Sequence, residues 1–210
     1  MALIIVAGAS GQHASVVYEA AILSGVSVAG FVTIDDAEPT PLFDCQWLGR
    51  LDAIAAAAIT RGDHFVVACG ANALRRRTSE VLEAQGASFQ SVRHPAAIIS
   101  PSAGIGPGST LLAGAIIGPR AVLGQGVIVN HAASVDHDCI VGDFCNISPG
   151  ARLGGCVQAG AGVFIGLNAS ILPGFRLGEN AVIGAGAVVT GNVMPQDTMV
   201  GVPARPVKRR

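Results

Sequence analysis

From Ile99 onward the apolar residues of this 210-residue chain recur at every sixth position. Ile99, Ile105, Leu111, Ile117, Leu123, Val129, Val135, Val141, Ile147, Leu153, Ala159, Ile165, Ile171, Leu177, Ile183 and Val189 form one unbroken series, aliphatic throughout and small only at Ala159. Four residues after each comes a second series, running from Ala103 and Ser109 to Ala187 and Val193, small or β-branched everywhere except Phe175. A period of six fits neither a helix nor an alternating strand. It is the pattern of a parallel β-helix of hexapeptide repeats. Each hexad supplies one short strand and one corner, with the aliphatic residue pointing inward and the small residue filling the remaining space. Three hexads close a triangular coil, so residues 18 apart stack at about 4.8 Å, one strand spacing. Gly often follows the aliphatic position, as at Gly118 and Gly154, and Gly and Asn near the corners tolerate the left-handed backbone that a sharp bend demands. The expected fold of residues 96–210 is a left-handed parallel β-helix.

Residues 1–95 show a different pattern. Apolar runs at 3–7, 28–34, 64–69 and 88–92 read as strands. Between them, 12–24, 50–59 and 73–85 carry helical patterns, the last with Arg75, Arg76, Arg77 and Glu80 on the solvent side. Alternating strands and helices predict a small Rossmann-like α/β domain with a parallel sheet. The domain boundary falls near residues 94–98. Gly8, Ser10 and Gly11 form a Gly-rich turn between the first strand and the first helix, where backbone amides can hold an anion. The spacing is not that of the dinucleotide fingerprint. Asp35 and Asp36 end the second strand, where such folds contact a ribose or base. Asn72 follows the third strand in the same way, and His13 sits on the first helix.

Composition narrows the function. Charged residues make up 13% against the usual ~25%, and the net charge is −1, so nothing marks a nucleic-acid partner. The apolar N-terminal stretch is too short for a membrane span, and no basic segment precedes it. The reading is a cytoplasmic protein. The five cysteines show no metal-binding spacing. Cys139 and Cys145 occupy the small interior slot, whereas Cys156 falls near a corner. No metal is expected.

Gly8-Ala9-Ser10-Gly11-Gln12-His13, Asp35-Asp36, Asn130-His131, Val135-Asp136-His137-Asp138 and Gly201-Val202-Pro203-Ala204-Arg205 together resemble the NeuD-type sugar acetyltransferases of the left-handed β-helix superfamily, similar to bacillosamine and perosamine N-acetyltransferases. The resemblance covers essentially the whole chain. It implies an acetyl-CoA-dependent N-acetyltransferase acting on a nucleotide-linked 4-amino-4,6-dideoxy sugar. Residues 1–95 would bind the sugar nucleotide, through Gly8, Ser10, Gly11, His13, Asp35, Asp36, Asn72 and, from the β-helix, Asn130. Residues 96–210 would bind the coenzyme. It also implies a homotrimer. Many relatives carry a histidine where this chain has Asn146.

Acetyl transfer needs a base for the incoming nucleophile and a donor for the oxyanion formed on the thioester. His137 is the candidate base, with His131, one hexad earlier, as its rival. Asp136 and Asp138 flank His137, either carboxylate can orient an imidazole, and the resemblance favours Asp138. Gly155 stacks one coil above His137, where a missing side chain admits a thioester to the backbone N–H. Leu167 and Ala185, also 18 apart, mark an edge for the pantetheine arm, with Pro203 and Arg205 near its adenine end; this coenzyme assignment is implied by the resemblance. An O-acetyltransferase on a sialic acid or another sugar remains an alternative, and a non-catalytic β-helix scaffold a more distant one.

Overall fold

A run of apolar residues with no polar side to turn to water makes a strand covered on both faces. Leu3–Ala7 (β1) is such a run, and all five residues are buried. In the computed structural model, which describes residues 1–8, 11–34 and 41–207, the chain forms two compact units, Met1–Pro95 and Ala96–Arg210. In the first unit β1 is the centre of a parallel sheet. β2 (Val28–Thr33) and β4 (His64–Ala68) flank it, and β3 (Trp47–Arg50) and β5 (Ser88–Phe89) close the edges, in the order β3-β2-β1-β4-β5. Three helices connect the strands: α1 (Gln12–Leu23), α2 (Leu51–Arg61) and α3 (Asn72–Ala84). The strand order reverses between β1 and β4, the point at which open α/β sheets leave a ligand crevice.

Two features of this unit depart from the sequence reading. Trp47–Arg50 is an edge strand where no alternation announces one. It fits because Gly30 of β2 has no side chain; a Cβ there would lie 2.5 Å from the Gln46 carbonyl oxygen. Arg75, expected on the solvent side of α3, is 1% exposed. Its guanidinium is drawn inward by acceptors, donating to the Cys69 carbonyl at 2.8 Å and to Asn72 Oδ1 at 3.0 Å.

In the second unit each hexad ends its two-residue strand on the aliphatic residue. Ile117 pairs with Val135, Val135 with Leu153, and Leu153 with Ile171, all parallel and 18 apart. Two further faces repeat this along Leu123–Val141–Ala159 and Val129–Ile147–Ile165. The sheets close into the left-handed β-helix that the six-residue period predicts. Every aliphatic position from Leu111 to Val189 is buried, and so are Cys139 and Cys145. Full burial of one such side chain stabilises by about 1.5–3 kcal/mol.

Gly and Asn do take left-handed backbone at the corners, as at Gly150 and Asn168, but they share it with other residues. The residue at φ between 53° and 78° is the third after the aliphatic one, at 108, 114, 120 and every sixth position to 186. It is often not Gly: Arg120, Asp138 and Cys156 all adopt it. The glycines directly after the aliphatic residue answer a different need. A Cβ on Gly118 would sit 2.6 Å from the His137 backbone nitrogen, and one on Gly142 as close to that of Ala161. They let successive coils approach.

Of the outer apolar residues, Ile116, Val122, Ile140 and Leu172 are exposed, together with Ile98. Leu112 and Ile128 are buried. Ile128 belongs to a row in which Thr110 and Asn146 are also covered.

Candidate active site

His137 lies at a corner of the β-helix, in the column Pro119–His137–Gly155–Pro173. The next column is Ser102–Arg120–Asp138–Cys156. The fold fixes both, because each residue of the second column sits 18 positions from its neighbour and the backbone bonds along the stack. The Asp138 N–H donates to the Pro119 carbonyl at 3.0 Å, and the Cys156 N–H to the His137 carbonyl at 2.9 Å.

On this frame the side chains form a chain of contacts. Arg120 grips Asp138 with two bonds, Nε to Oδ1 at 2.6 Å and Nη2 to Oδ2 at 2.8 Å. Asp138 Oδ2 lies 2.7 Å from His137 Nδ1. The backbone N–H of Arg120 is itself anchored on Ser102 Oγ at 3.1 Å. The Arg120 guanidinium, and after it His137, hold the Asp138 carboxyl well below the usual carboxylate range, at about 2. Asp138 is therefore an anion at any working pH. It orients the imidazole and can stabilise the imidazolium. Asp136 is committed elsewhere: its Oδ1 accepts the His137 backbone N–H at 2.7 Å. The structure thus separates the two carboxylates that the sequence left as alternatives. Arg120 is a site residue the sequence reading missed, although 138 − 18 points to it.

With Nδ1 held by Asp138, Nε2 is the ring atom left for proton transfer. It lies against Gly155, where a Cβ would overlap it. Gly155 therefore makes room for the ring itself. Gly155 is buried, and the hydrogen bonds of the described residues include none from its N–H. Buried backbone donors are rarely left without an acceptor. A groove of about 320 Å³ runs beside this corner, bordered by Ile116, Asp136, Arg152, Gly154 and Leu172. It was not read from the sequence.

His131 is exposed and stands on another edge, in the column His131–Pro149–Leu167–Ala185. No described carboxylate contacts its ring. Asn130 uses its Oδ1 to accept the His131 backbone N–H at 2.9 Å, a corner-forming bond. Leu167 and Ala185 are exposed on this same edge, so within one chain they are not brought together with His137. Pro203 and Arg205 are exposed near the end of the described chain, where Arg205 pairs with Val200.

In the α/β unit, a cleft of about 230 Å³ lies between the ends of β1 and β4. Gly8, Gly11 and His13 line it from one side, Cys69, Gly70 and Ala71 from the other. Gly11 adopts φ 61° and donates to the Gly8 carbonyl at 3.0 Å, and α1 starts with no side-chain cap. A helix N-terminus at the mouth of such a cleft favours an anion. Asn72 does not line the cleft; its Oδ1 braces the buried Arg75, which in turn holds the β4–α3 turn through the Cys69 carbonyl. Ser10, Asp35 and Asp36 lie outside the described residues.

Comparison with known proteins bears on both units. Residues 3–82 match the PglD N-terminal domain, and residues 157–191 the hexapeptide repeat of succinyl-transferase. The chain is similar to a histidine-to-alanine mutant of GDP-perosamine N-acetyltransferase from Caulobacter crescentus, solved in complex with CoA and GDP-perosamine. The two are 31% identical over 100% of this chain and 98% of that one, with a TM-score of 0.93. The acetyltransferase domain of PglB from Neisseria gonorrhoeae is 35% identical over 99% of this chain and 100% of its own, with a TM-score of 0.91. WeeI from Acinetobacter baumannii AYE is 26% identical over 98% of this chain and 100% of its own, with a TM-score of 0.85.

Proposed function

This chain belongs to the PglD-type sugar N-acetyltransferases of the left-handed β-helix superfamily, and we propose that it transfers the acetyl group of acetyl-CoA to the amine of a nucleotide-linked 4-amino-4,6-dideoxy sugar. The observation that carries the mechanism is the Arg120–Asp138–His137 relay ending on Gly155. His137 is the general base. The sugar amine attacks the thioester carbon, and its proton passes to His137 Nε2. The Gly155 N–H donates to the oxyanion that forms. Collapse then breaks the carbon–sulfur bond, and the proton on the imidazole is available to the departing thiolate. No acyl-enzyme is needed.

Residues 1–95 bind the nucleotide and residues 96–210 the coenzyme. The cleft between β1 and β4 takes the diphosphate at the N-terminus of α1, with Gly8, Gly11 and His13 lining it. Two relatives support the ligand classes, one solved with CoA and GDP-perosamine and one with acetyl coenzyme A. Leu167 and Ala185 face a different edge from His137, so the coenzyme track and the base meet only if a second copy contributes one of them. A homotrimer packed on the exposed Ile98, Ile116, Val122 and Ile140 supplies that second copy. Among the described residues no helix is long and apolar enough to cross a membrane. The proposed place of work is the cytoplasm.

The test is coenzyme A release with a panel of UDP-, GDP- and dTDP-linked amino sugars. His137→Ala should lower kcat by about 10²-fold or more with little change in Tm. Near-normal turnover in that variant at neutral pH would remove His137 from the mechanism.

A further inference from the structure

Cys156 has no part in the transfer just described, yet it stands beside the groups that do. Three of the five cysteines are buried and one is half-buried, whereas Cys156 is exposed. Its sulfur, a His137 ring nitrogen and an Asp138 carboxylate oxygen all lie within 4.8 Å of one another. The stacking of the coils keeps the two residues neighbours, since the Cys156 N–H is bonded to the His137 carbonyl at 2.9 Å. Thiolate and imidazole are donors favoured by zinc and similar divalent cations. Exposed side chains on adjacent coils can close the remaining distance by rotation about their own bonds.

The Asp138–His137 pair adds a second argument. An imidazole that binds a metal almost always gives its other ring N–H to a carboxylate, which fixes the tautomer and makes the free nitrogen a better ligand. The 2.7 Å contact between Asp138 and Nδ1 is that arrangement, and it leaves Nε2 as the ligand atom. Arg120 limits the role of Asp138. Its two bonds largely neutralise the carboxylate, so Asp138 braces the ring rather than attracting a cation.

We propose that Cys156 Sγ and His137 Nε2, braced by Asp138, form a binding site for a soft divalent cation such as Zn²⁺, and that filling it switches the enzyme off. The thiol loses its proton to solvent as the metal binds. The ion takes the Nε2 lone pair that would accept the substrate proton, so binding and catalysis exclude each other. The metal is an inhibitor here, and the transfer has no need of it. The binding claim stands on Cys156, His137 and Asp138 alone, while the inhibition rests on His137 being the base.

The whole protein is titrated with Co²⁺ alone at neutral pH. A thiolate-to-cobalt charge-transfer band should rise and saturate at one equivalent per chain, and Zn²⁺ should displace it. Cys156→Ser should abolish the band and weaken Zn²⁺ binding by at least about 10-fold, the smallest loss seen when even an outer partner is disturbed. The same variant should keep its acetyl-transfer rate and withstand the Zn²⁺ concentration that silences the wild type. A band that persists in Cys156→Ser belongs to another cysteine and overturns the proposal. Equal zinc inhibition of both proteins overturns it as well. Because the cobalt titration uses no substrate, it decides the metal site even if the chain transfers no acetyl group.

Discussion

An alanine at position 155 would put a methyl group where the His137 ring now lies. The added Cβ would be 2.5 Å from Cε1 and 3.1 Å from Cδ2, and closer still to Nε2. Carbon atoms in favourable contact are about 3.5 Å apart or more, so the ring must retreat by about 1 Å. It is free to do so: the side chain is 50% exposed on the open side of the corner. Gly155 is not among the residues at positive φ, so the methyl adds no backbone strain. The cost in stability should then be near the low end for over-packing, about 1 kcal/mol. The cost in rate should be larger. A displacement of about 1 Å at a reacting group lowers turnover about 10²-fold, which corresponds to about 2.7 kcal/mol of barrier. The Gly155 N–H survives the substitution, so the loss reports the position of the base and not the oxyanion donor. Continuous detection of released coenzyme A gives kcat and the KM for each substrate. The KM for the sugar nucleotide should change little. Placed on a His137→Ala background, Gly155→Ala should cost almost nothing further, since the ring it displaces is gone. A kcat within a factor of about three of wild type, or full additivity of the two substitutions, would refute the reasoning.

Three further outcomes follow from the same geometry. Arg120→Met removes the clamp on Asp138; because an exposed ion pair contributes little to stability, Tm should hold while kcat falls by about 10-fold. The lowered Asp138 value also predicts an acid response. A carboxyl at 3.8 when unfolded and about 2 when folded favours the folded state above pH 3.8 and loses that contribution as pH falls through about 2. A carboxyl-resolved NMR titration should therefore show Asp138 taking up its proton at higher pH in Arg120→Met than in wild type, and superimposable curves would count against the relay. Light scattering should give three times the chain mass for the intact protein, and Ile140→Arg on the exposed face should yield a species of one chain with little activity. A fully active single chain would show that one copy builds the whole site.

The period of six, read along one strand of text, determined the β-helix. An interior closed on all sides accepts only aliphatic and small residues, and that demand recurs wherever the coil returns. Leu111 to Val189 are buried for this reason, and the same counting put Gly155 over His137. Continuous apolar runs likewise announced β1, β2 and β4, because strands covered on both faces have no polar side. What the sequence left open depends on side chains that meet across space. His131 and His137 occupy equivalent corners in the text; only the folded edges show that Asp138 and Arg120 attend one of them. Arg75 looked like part of a solvated run, yet the Cys69 carbonyl and Asn72 Oδ1 draw its charge inside, which no pattern of polarity records. Trp47–Arg50 became a strand because Gly30 opened space beside it, a property of its neighbour and not of the segment. Burial is written in the chain because each residue carries its own preference for water. The site is not, because a hydrogen bond or an ion pair belongs to two residues, and the fold alone decides which two.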